Sequence, residues 1–383
     1  MRSTKLQLGL FIPPYHAVND STTLAYERDL QFTQYAEELG VSEVWFGEHH
    51  SGGFENSPSP ELMIAAASQR TSRIRLGTGV VSLPYHNPLM TANRLAQLDH
   101  LTRGRLMFGA GPGLLSSDAH MLGQDARESR DKLDQGLAVI RRLLKGEWVT
   151  EETSWYKLQN AHCQILPFGN SIETCVASAI SPSGGTLAAK HEAGMLCLAA
   201  SLFAGYNALS ANWRIAQDAA ISLGRTMSPA VLRCATDMHI AETRGEAWDA
   251  ARKGYEVYRE YVLNQSGHIP DSPGHLSLEQ LVERQEAVIG TPDDAIAQIR
   301  RLESQIPDFG VLLLFDRNWA NVENKKRSLE MIMRYVLPAI NGDNVNRAKS
   351  YEWLYRDREQ FMDVMMAGTK RAFDKHESEK TGR

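Results

Sequence analysis

The sequence predicts an α/β protein: a (β/α)8 TIM barrel with insertions and a C-terminal helical extension. Two observations carry the prediction. Short β-rich runs alternate with longer segments of helical spacing along most of the chain, and there are eight such runs, each followed by a helix. Most of the runs are four to eight residues long and apolar throughout, as parallel strands covered on both faces require. A doubly wound open sheet is the alternative that the same alternation allows.

In chain order the runs fall at 6–11, 43–47, 73–80, 105–109, 174–177, 195–199, 231–240 and 309–315. The seventh is interrupted by polar Thr236 and Asp237. After the first run, Leu30, Tyr35, Ala36 and Leu39 form a helical set that ends at Gly40, a natural stop. After the fourth, Leu133, Leu137, Ile140 and Leu144 share one helix face. After the eighth, Leu329, Ile332, Met333 and Val336 precede Pro338. The barrel is expected over residues 1–343, with two insertions. Residues 146–171, with Trp148, Trp155 and Tyr156, suggest a small β excursion. Residues 264–290 are polar and turn-rich and suggest a lid. Residues 344–383 form the extension, helical through Phe373 and then a frayed charged tail. Gly290-Thr291-Pro292 reads as a structural helix entry.

Composition narrows the class of function. The chain has 383 residues, 43% hydrophobic and 23% charged, which is ordinary for a globular protein. A net charge of -5 offers no basic footprint for nucleic acid or an anionic membrane. The four cysteines form no CxxC pair and read as buried free thiols in a reducing compartment. No apolar run is long enough to span a bilayer, and the N-terminus reads as a first strand, so a cytoplasmic protein is expected.

Barrel chemistry sits at the C-terminal ends of strands. That rule selects 13–16, 48–50, 79–84, 111–118, 178–184, Ser201 and the loops after Ile240 and Phe315. Glu48-His49-His50 ends the second strand. Adjacent side chains on a strand diverge, so the two histidines are poorly placed for one metal ion, and no metal site is expected. Each is either a hydrogen-bonded structural histidine or a group reaching the mouth. The alternating glycines of 109–113 permit close approach of a ligand or simply make a tight turn; they do not fit the GxGxxG dinucleotide pattern. Ser178, Ser181, Ser183 and Gly184 open a helix after the fifth strand. Such a helix start suits a phosphate, or Ser181 is only a cap before Pro182. Arg130 opens the helix after the fourth strand, as a solvated charge or a second phosphate contact.

Taken together these strings resemble the bacterial-luciferase-like family of flavin-dependent monooxygenases. The matching segments are VWFGEHH (44–50), RIRLGTGVVSLPYHNP (73–88), LDHLTRGRLMFGAGPG (98–113), CVASAISPSG (175–184) and VIGTPDDAIAQI (288–299). Within the family, GPGLLSSDAHMLG (111–123) is similar to limonene 1,2-monooxygenase-like members. The resemblance implies a barrel that binds reduced FMN supplied by a separate NAD(P)H-dependent flavin reductase. With dioxygen it would oxygenate a small apolar organic substrate of terpene or cyclic-ketone type, and the enzyme would form a homodimer. His49 corresponds to the family histidine near the flavin, with Glu48 before it. Gly79 and Val80 fall where the family can hold a non-proline cis peptide beneath the isoalloxazine. Arg130, Ser178, Ser181, Ser183 and Gly184 fall in the phosphate-binding positions. The reactive cysteine and adjacent arginine of luciferase correspond to Gly111 and Pro112, and its phosphate-segment glutamate to Ser178, so light emission is not expected. Two other readings fit the same barrel: a deazaflavin-dependent oxidoreductase and a noncatalytic flavin-binding homologue.

Overall fold

The structure, a computed structural model, describes residues 2–201, 207–266 and 273–382. Eight parallel strands carry it: β1 Gln7–Ile12, β2 Glu43–Phe46, β3 Arg75–Thr78, β4 Leu106–Gly111, β5 Glu173–Ser178, β6 Gly194–Cys197, β7 Leu232–Ile240 and β8 Val311–Phe315. Each pairs with the next. β8 then pairs with β1, in the register Gln7 to Val311, so the sheet closes on itself and the open doubly wound alternative is excluded. The helices between them are α1 Thr22–Leu39, α2 Pro60–Ser68, α3 Pro88–Thr102, α4 Ser129–Leu144, α5 Ser183–Lys190, α6 Ala208–Ser222, α7 Arg244–Ser266, α8 Pro292–Gln305 and α9 Val322–Met331. Gly40 caps α1 in the left-handed conformation at φ 88°, and Thr291 caps α8 in a capping box with Asp294.

Alternation along each strand divides the core in two. One face packs on the helices. The other fills the barrel with Trp45, Met107, Cys175, Leu196, Ala235 and Leu313. A Cβ at Gly77 would lie 2.4 Å from the Trp45 ring, so the indole can lie across β3 only because that position is bare.

The N-terminal end of the barrel is closed by charge. Arg233 donates to Glu43 at 2.7 and 3.1 Å and to Glu173 at 2.8 Å, and the Trp45 indole N–H donates to Glu43 at 2.8 Å. Losing Glu43 would leave buried Arg233 with Glu173 alone and the Trp45 N–H without its acceptor. Glu43→Leu is therefore expected to cost about 3–5 kcal/mol in chemical denaturation, and Glu43→Leu with Arg233→Met to recover most of that loss.

The insertions resolve differently. Residues 146–171 contain an antiparallel hairpin, Val149–Glu152 with Lys157–Ala161, matching the expected β excursion. The described part of the turn-rich stretch 264–290 carries more regular structure than its composition suggests. It holds the helix Leu278–Glu283 and a strand, Ala287–Gly290, that pairs with the end of β7. Residues 267–272 of the expected lid lie outside the described residues. Pro338 does not stop the helical run, because a π turn at Ile332–Val336 carries it into Leu337–Asn341.

The chain divides into two compact units, residues 2–340 and 341–383. In the second, helices Val345–Arg356 and Arg358–Thr381 extend past Phe373, where a frayed tail was expected. The Lys375–Glu379 pair, one turn apart at 3.8 Å, supports that last stretch. All four cysteines are buried and unpaired, and among the described residues no helix is long and apolar enough to cross a membrane.

Candidate active site

Because all eight strands run parallel, every segment singled out by the strand-end rule leaves the barrel at one end. Close approaches link them around the mouth. A Cβ at Gly47 would sit 3.1 Å from Pro14 and 3.6 Å from the Gly79 carbonyl oxygen. One at Gly111 would sit 2.4 Å from Val80 Cγ2 and 3.6 Å from Ala177 Cβ. One at Gly184 would sit 2.5 Å from the Ala177 carbonyl oxygen. The chain of contacts thus runs from 13–14 through 47, 79–80 and 111 to 177–184, and these segments rim a common opening. Its floor is the upper layer of the barrel interior, where Val80, Leu198 and Phe315 pack on the inner cluster. The Gly79–Val80 peptide is cis.

On the β2 side, the strand ends in a hydrogen-bonded knot. The buried Glu48 carboxylate accepts from His50 Nε2 at 3.1 Å, His86 Nε2 at 2.9 Å and the Ser82 N–H at 3.1 Å. Burial alone would raise its pKa, but these donors outweigh burial and lower it. All three of these contacts are internal, so the structure gives Glu48 a supporting place that ties β2 to the segment after the cis peptide. The donor atoms of Glu48, His50 and His86 lie within 4.8 Å of one another, yet both imidazoles already bond one Glu48 oxygen, which makes a closed hydrogen-bonded set.

His49 turns away from that set. Its Nδ1 meets Asp118 at 3.1 Å and its Nε2 meets Glu55 at 3.4 Å. Asp118 also accepts from the His50 N–H at 3.1 Å and the Ser51 hydroxyl at 2.5 Å, so one carboxylate fixes both ring and loop. Burial would depress the His49 pKa, but the Asp118 hydrogen bond and the charges of Glu55 and Glu48 outweigh it and raise the pKa. The two carboxylates thus favour the protonated ring at the end of β2.

On the β5 side, Ser178 Oγ is buried and has no hydrogen-bond partner. The Ser183 N–H donates to Ser181 Oγ at 3.3 Å and the two hydroxyls lie 2.6 Å apart, so Ser181 caps the start of α5. Gly184 is bare where any Cβ would strike the end of β5. An orphaned hydroxyl, a cradle that a side chain would fill and the N–H groups opening α5 suit an anionic oxygen cluster. Arg130 is exposed, on α4, with no ion-pair partner among the described residues. Asp134, one turn further along α4, bonds His191 at 2.7 Å and Lys190 at 2.6 Å at the far end of α5. Residues i and i+4 share a helix face, so Arg130 lies on the flank that faces α5, nearer the mouth.

The remaining wall lies on the β1, β7 and β8 side. Arg317 pairs with Asp237 at 2.5 Å and stacks over Phe315 at 4.1 Å and Tyr258 at 5.0 Å. Beside it opens a cavity of about 880 Å³, lined by aromatic residues such as Tyr15, Phe54 and Tyr258 and by charged ones such as Arg28, Glu246 and Lys253. Burial lowers the His239 pKa to about 4. The unfolded state binds that proton more readily, so the stability His239 contributes is present above its ordinary pKa and is lost as pH falls toward 4. His239→Gln is expected to flatten the acid limb of stability between about pH 6.5 and 4, by up to about 3 kcal/mol in denaturant titrations.

Asp118, Glu55, His86 and Tyr261 were not among the residues selected from sequence. Asp118 and His86 lie inside the matching strings 111–123 and 73–88, but nothing in sequence gave either a role. Glu55 and Tyr261 reach the site only through tertiary packing.

A model of luciferase-like monooxygenases matches residues 6–308. The chain belongs to the luciferase-like monooxygenase family. Membership makes it a flavin-dependent monooxygenase. It is 40% identical to limonene 1,2-monooxygenase of Rhodococcus erythropolis over 377 residues, covering 98% of this chain and 97% of that one. It is 38% identical to 4-hydroxyprotoasukamycin monooxygenase of Streptomyces nodosus subsp. asukaensis, covering 91% and 96%. Among solved structures, the oxygenating constituent of 3,6-diketocamphane monooxygenase from Pseudomonas putida, in complex with FMN, shares the fold. The TM-score is 0.74 at 22% identity, over 88% of this chain and 99% of that one.

Proposed function

We propose that this monooxygenase is the oxygenase half of a two-component system. It takes reduced FMN from a separate NAD(P)H-dependent reductase and uses dioxygen to oxygenate a small apolar organic substrate of terpene or cyclic-ketone type. The observation that carries the reading is the placement of two unlike sites around one mouth. His49, held between two carboxylates, lies on the β2 side, and the unpartnered Ser178 hydroxyl beside bare Gly184 lies on the β5 side.

Reduced FMN would supply the redox chemistry. The residues of this chain do the rest. Ser178, Ser181 and Ser183, with the α5 N–H groups and Arg130, hold the phosphate. Gly79 and Val80 would offer the surface that receives the ring system. The apolar Val80–Leu198–Phe315 layer would exclude water from the floor of the site. His49 would supply or hold a proton there, with Asp118 fixing the orientation of its ring. The cavity beside Tyr15 and Phe54 has a mixed lining, and its aromatic side would receive the apolar part of a substrate. The same reading includes a homodimer in the cytoplasm, and sedimentation reads the oligomeric state.

The test is turnover with a flavin reductase, NADH and FMN under isotopically labelled dioxygen, with limonene and a camphane-type diketone as probes. Labelled product that requires both FMN and reductase supports the reading. Product formed without reduced flavin, or tight binding only of a deazaflavin, contradicts it.

A further inference from the structure

The two ring nitrogens of His49 face different carboxylates, Nδ1 facing Asp118 and Nε2 facing Glu55. The second carboxylate, Glu55, is 4% exposed and lies 3.4 Å from Nε2. It is held from outside its own segment. The Tyr261 hydroxyl, on α7, donates to Glu55 Oε2 at 2.9 Å, and Gln265 Nε2 donates back to the Tyr261 oxygen at 2.8 Å. The loop that carries Glu55 is moulded onto that tyrosine. Phe54 stacks on the Tyr261 ring at 4.6 Å, and Tyr15 meets it edge-on at 5.6 Å. Gly52 has φ 84°, and a Cβ there would lie 3.0 Å from the Tyr261 oxygen. A bridge between Tyr15 and Glu55 pins the backbone of the loop. A continuous path of polar contacts therefore runs from His49 through Glu55 to a helix that follows β7, on another part of the barrel.

We propose that Glu55 is a positioning residue for His49, and that Tyr261 holds Glu55 in place so that α7 fixes the direction in which Nε2 points. The inference rests on the reading of His49 as the group that acts at the mouth. The charged or titratable groups facing the ring are Asp118 from the helix Ser116–Met121, Glu55 from the loop after β2, and Glu48 and His50 from its own segment. α7 adds the Tyr261 hydroxyl through Glu55. With Glu55 gone, Nε2 loses its anionic partner and the ring is held only through Nδ1. With Tyr261 gone, Glu55 keeps its charge but loses its tether. A carboxylate at this distance favours the imidazolium, and that support vanishes as pH rises through the His49 midpoint.

The experiment follows the His49 Cε1 proton by NMR across pH in the flavin-free protein, for the wild type and for Glu55→Gln, Tyr261→Phe and Asp118→Asn. Glu55→Gln is expected to lower the His49 midpoint by about one pH unit, and Tyr261→Phe to lower it by less. In turnover, the pH limb set by His49 shifts with the NMR midpoint, and kcat changes while KM for FMN does not. Should Glu55→Gln fail to fold, Tyr261→Phe, which removes a single oxygen atom, decides the matter by itself. Midpoints unchanged in Glu55→Gln and Tyr261→Phe, with only Asp118→Asn shifting, overturn the proposal. Failure of the two-component reading would appear separately, as absence of reductase-dependent oxygenated product with the NMR shifts intact.

Discussion

Replacing His49 with alanine is expected to lower oxygenated product by about 10²- to 10⁴-fold, the range over which a positioned acid or base acts. The loss should appear as uncoupling: dioxygen and NADH are still consumed, and hydrogen peroxide replaces the organic product. The reason is a division of labour across the mouth. The contacts proposed for the phosphate sit on the β5 side, at Ser178–Gly184 and Arg130, whereas His49 is tied to Asp118 and Glu55 on the β2 side. The variant should therefore bind reduced FMN about as well as the wild type. Product formed per dioxygen consumed is the measurement. Unchanged coupling would remove His49 from the chemistry while leaving the flavin site standing.

The second large effect is expected at Arg130. Its guanidinium is exposed and free of ion pairs among the described residues, on the flank of α4 that faces α5. A charge-assisted hydrogen bond to an anion contributes about 1.5–3 kcal/mol, and about 1.4 kcal/mol is tenfold in affinity. Arg130→Ala is therefore expected to weaken FMN binding about 10- to 100-fold and to leave riboflavin, which lacks the phosphate, almost unaffected. Paired equilibrium titrations with the two flavins read this directly. Equal weakening of both would mean that the arginine acts on fold or loop order and not on the phosphate.

The barrel was legible because its strands are buried on both faces and so read as apolar runs. Even β7, with Thr236 and Asp237 in it, forms where expected, since Asp237 points to the mouth and pairs with Arg317. The stretch at 264–290 was less legible. Its glycines and prolines concealed Ala287–Gly290, a four-residue strand that is recruited by the end of β7 rather than by its own periodicity. The strand-end segments around His49, Gly79 and Ser178 could be found because barrel topology alone places them. The partners of His49 could not. Asp118 and Glu55 are ordinary acidic residues in sequence, 69 and 6 positions from it, and only packing brings them to the two ring nitrogens. Tyr261 is further still, on α7, and reaches the site through a single hydroxyl.

A crystal structure of the protein soaked with FMN tests the shared mouth most directly. The phosphate is expected at the start of α5, within reach of Ser178, Ser181, Ser183 and Arg130, with the ring system on Gly79–Val80 and His49 at its edge. Electron density for FMN away from this rim, with Ser178 Oγ still unpartnered, would contradict that arrangement.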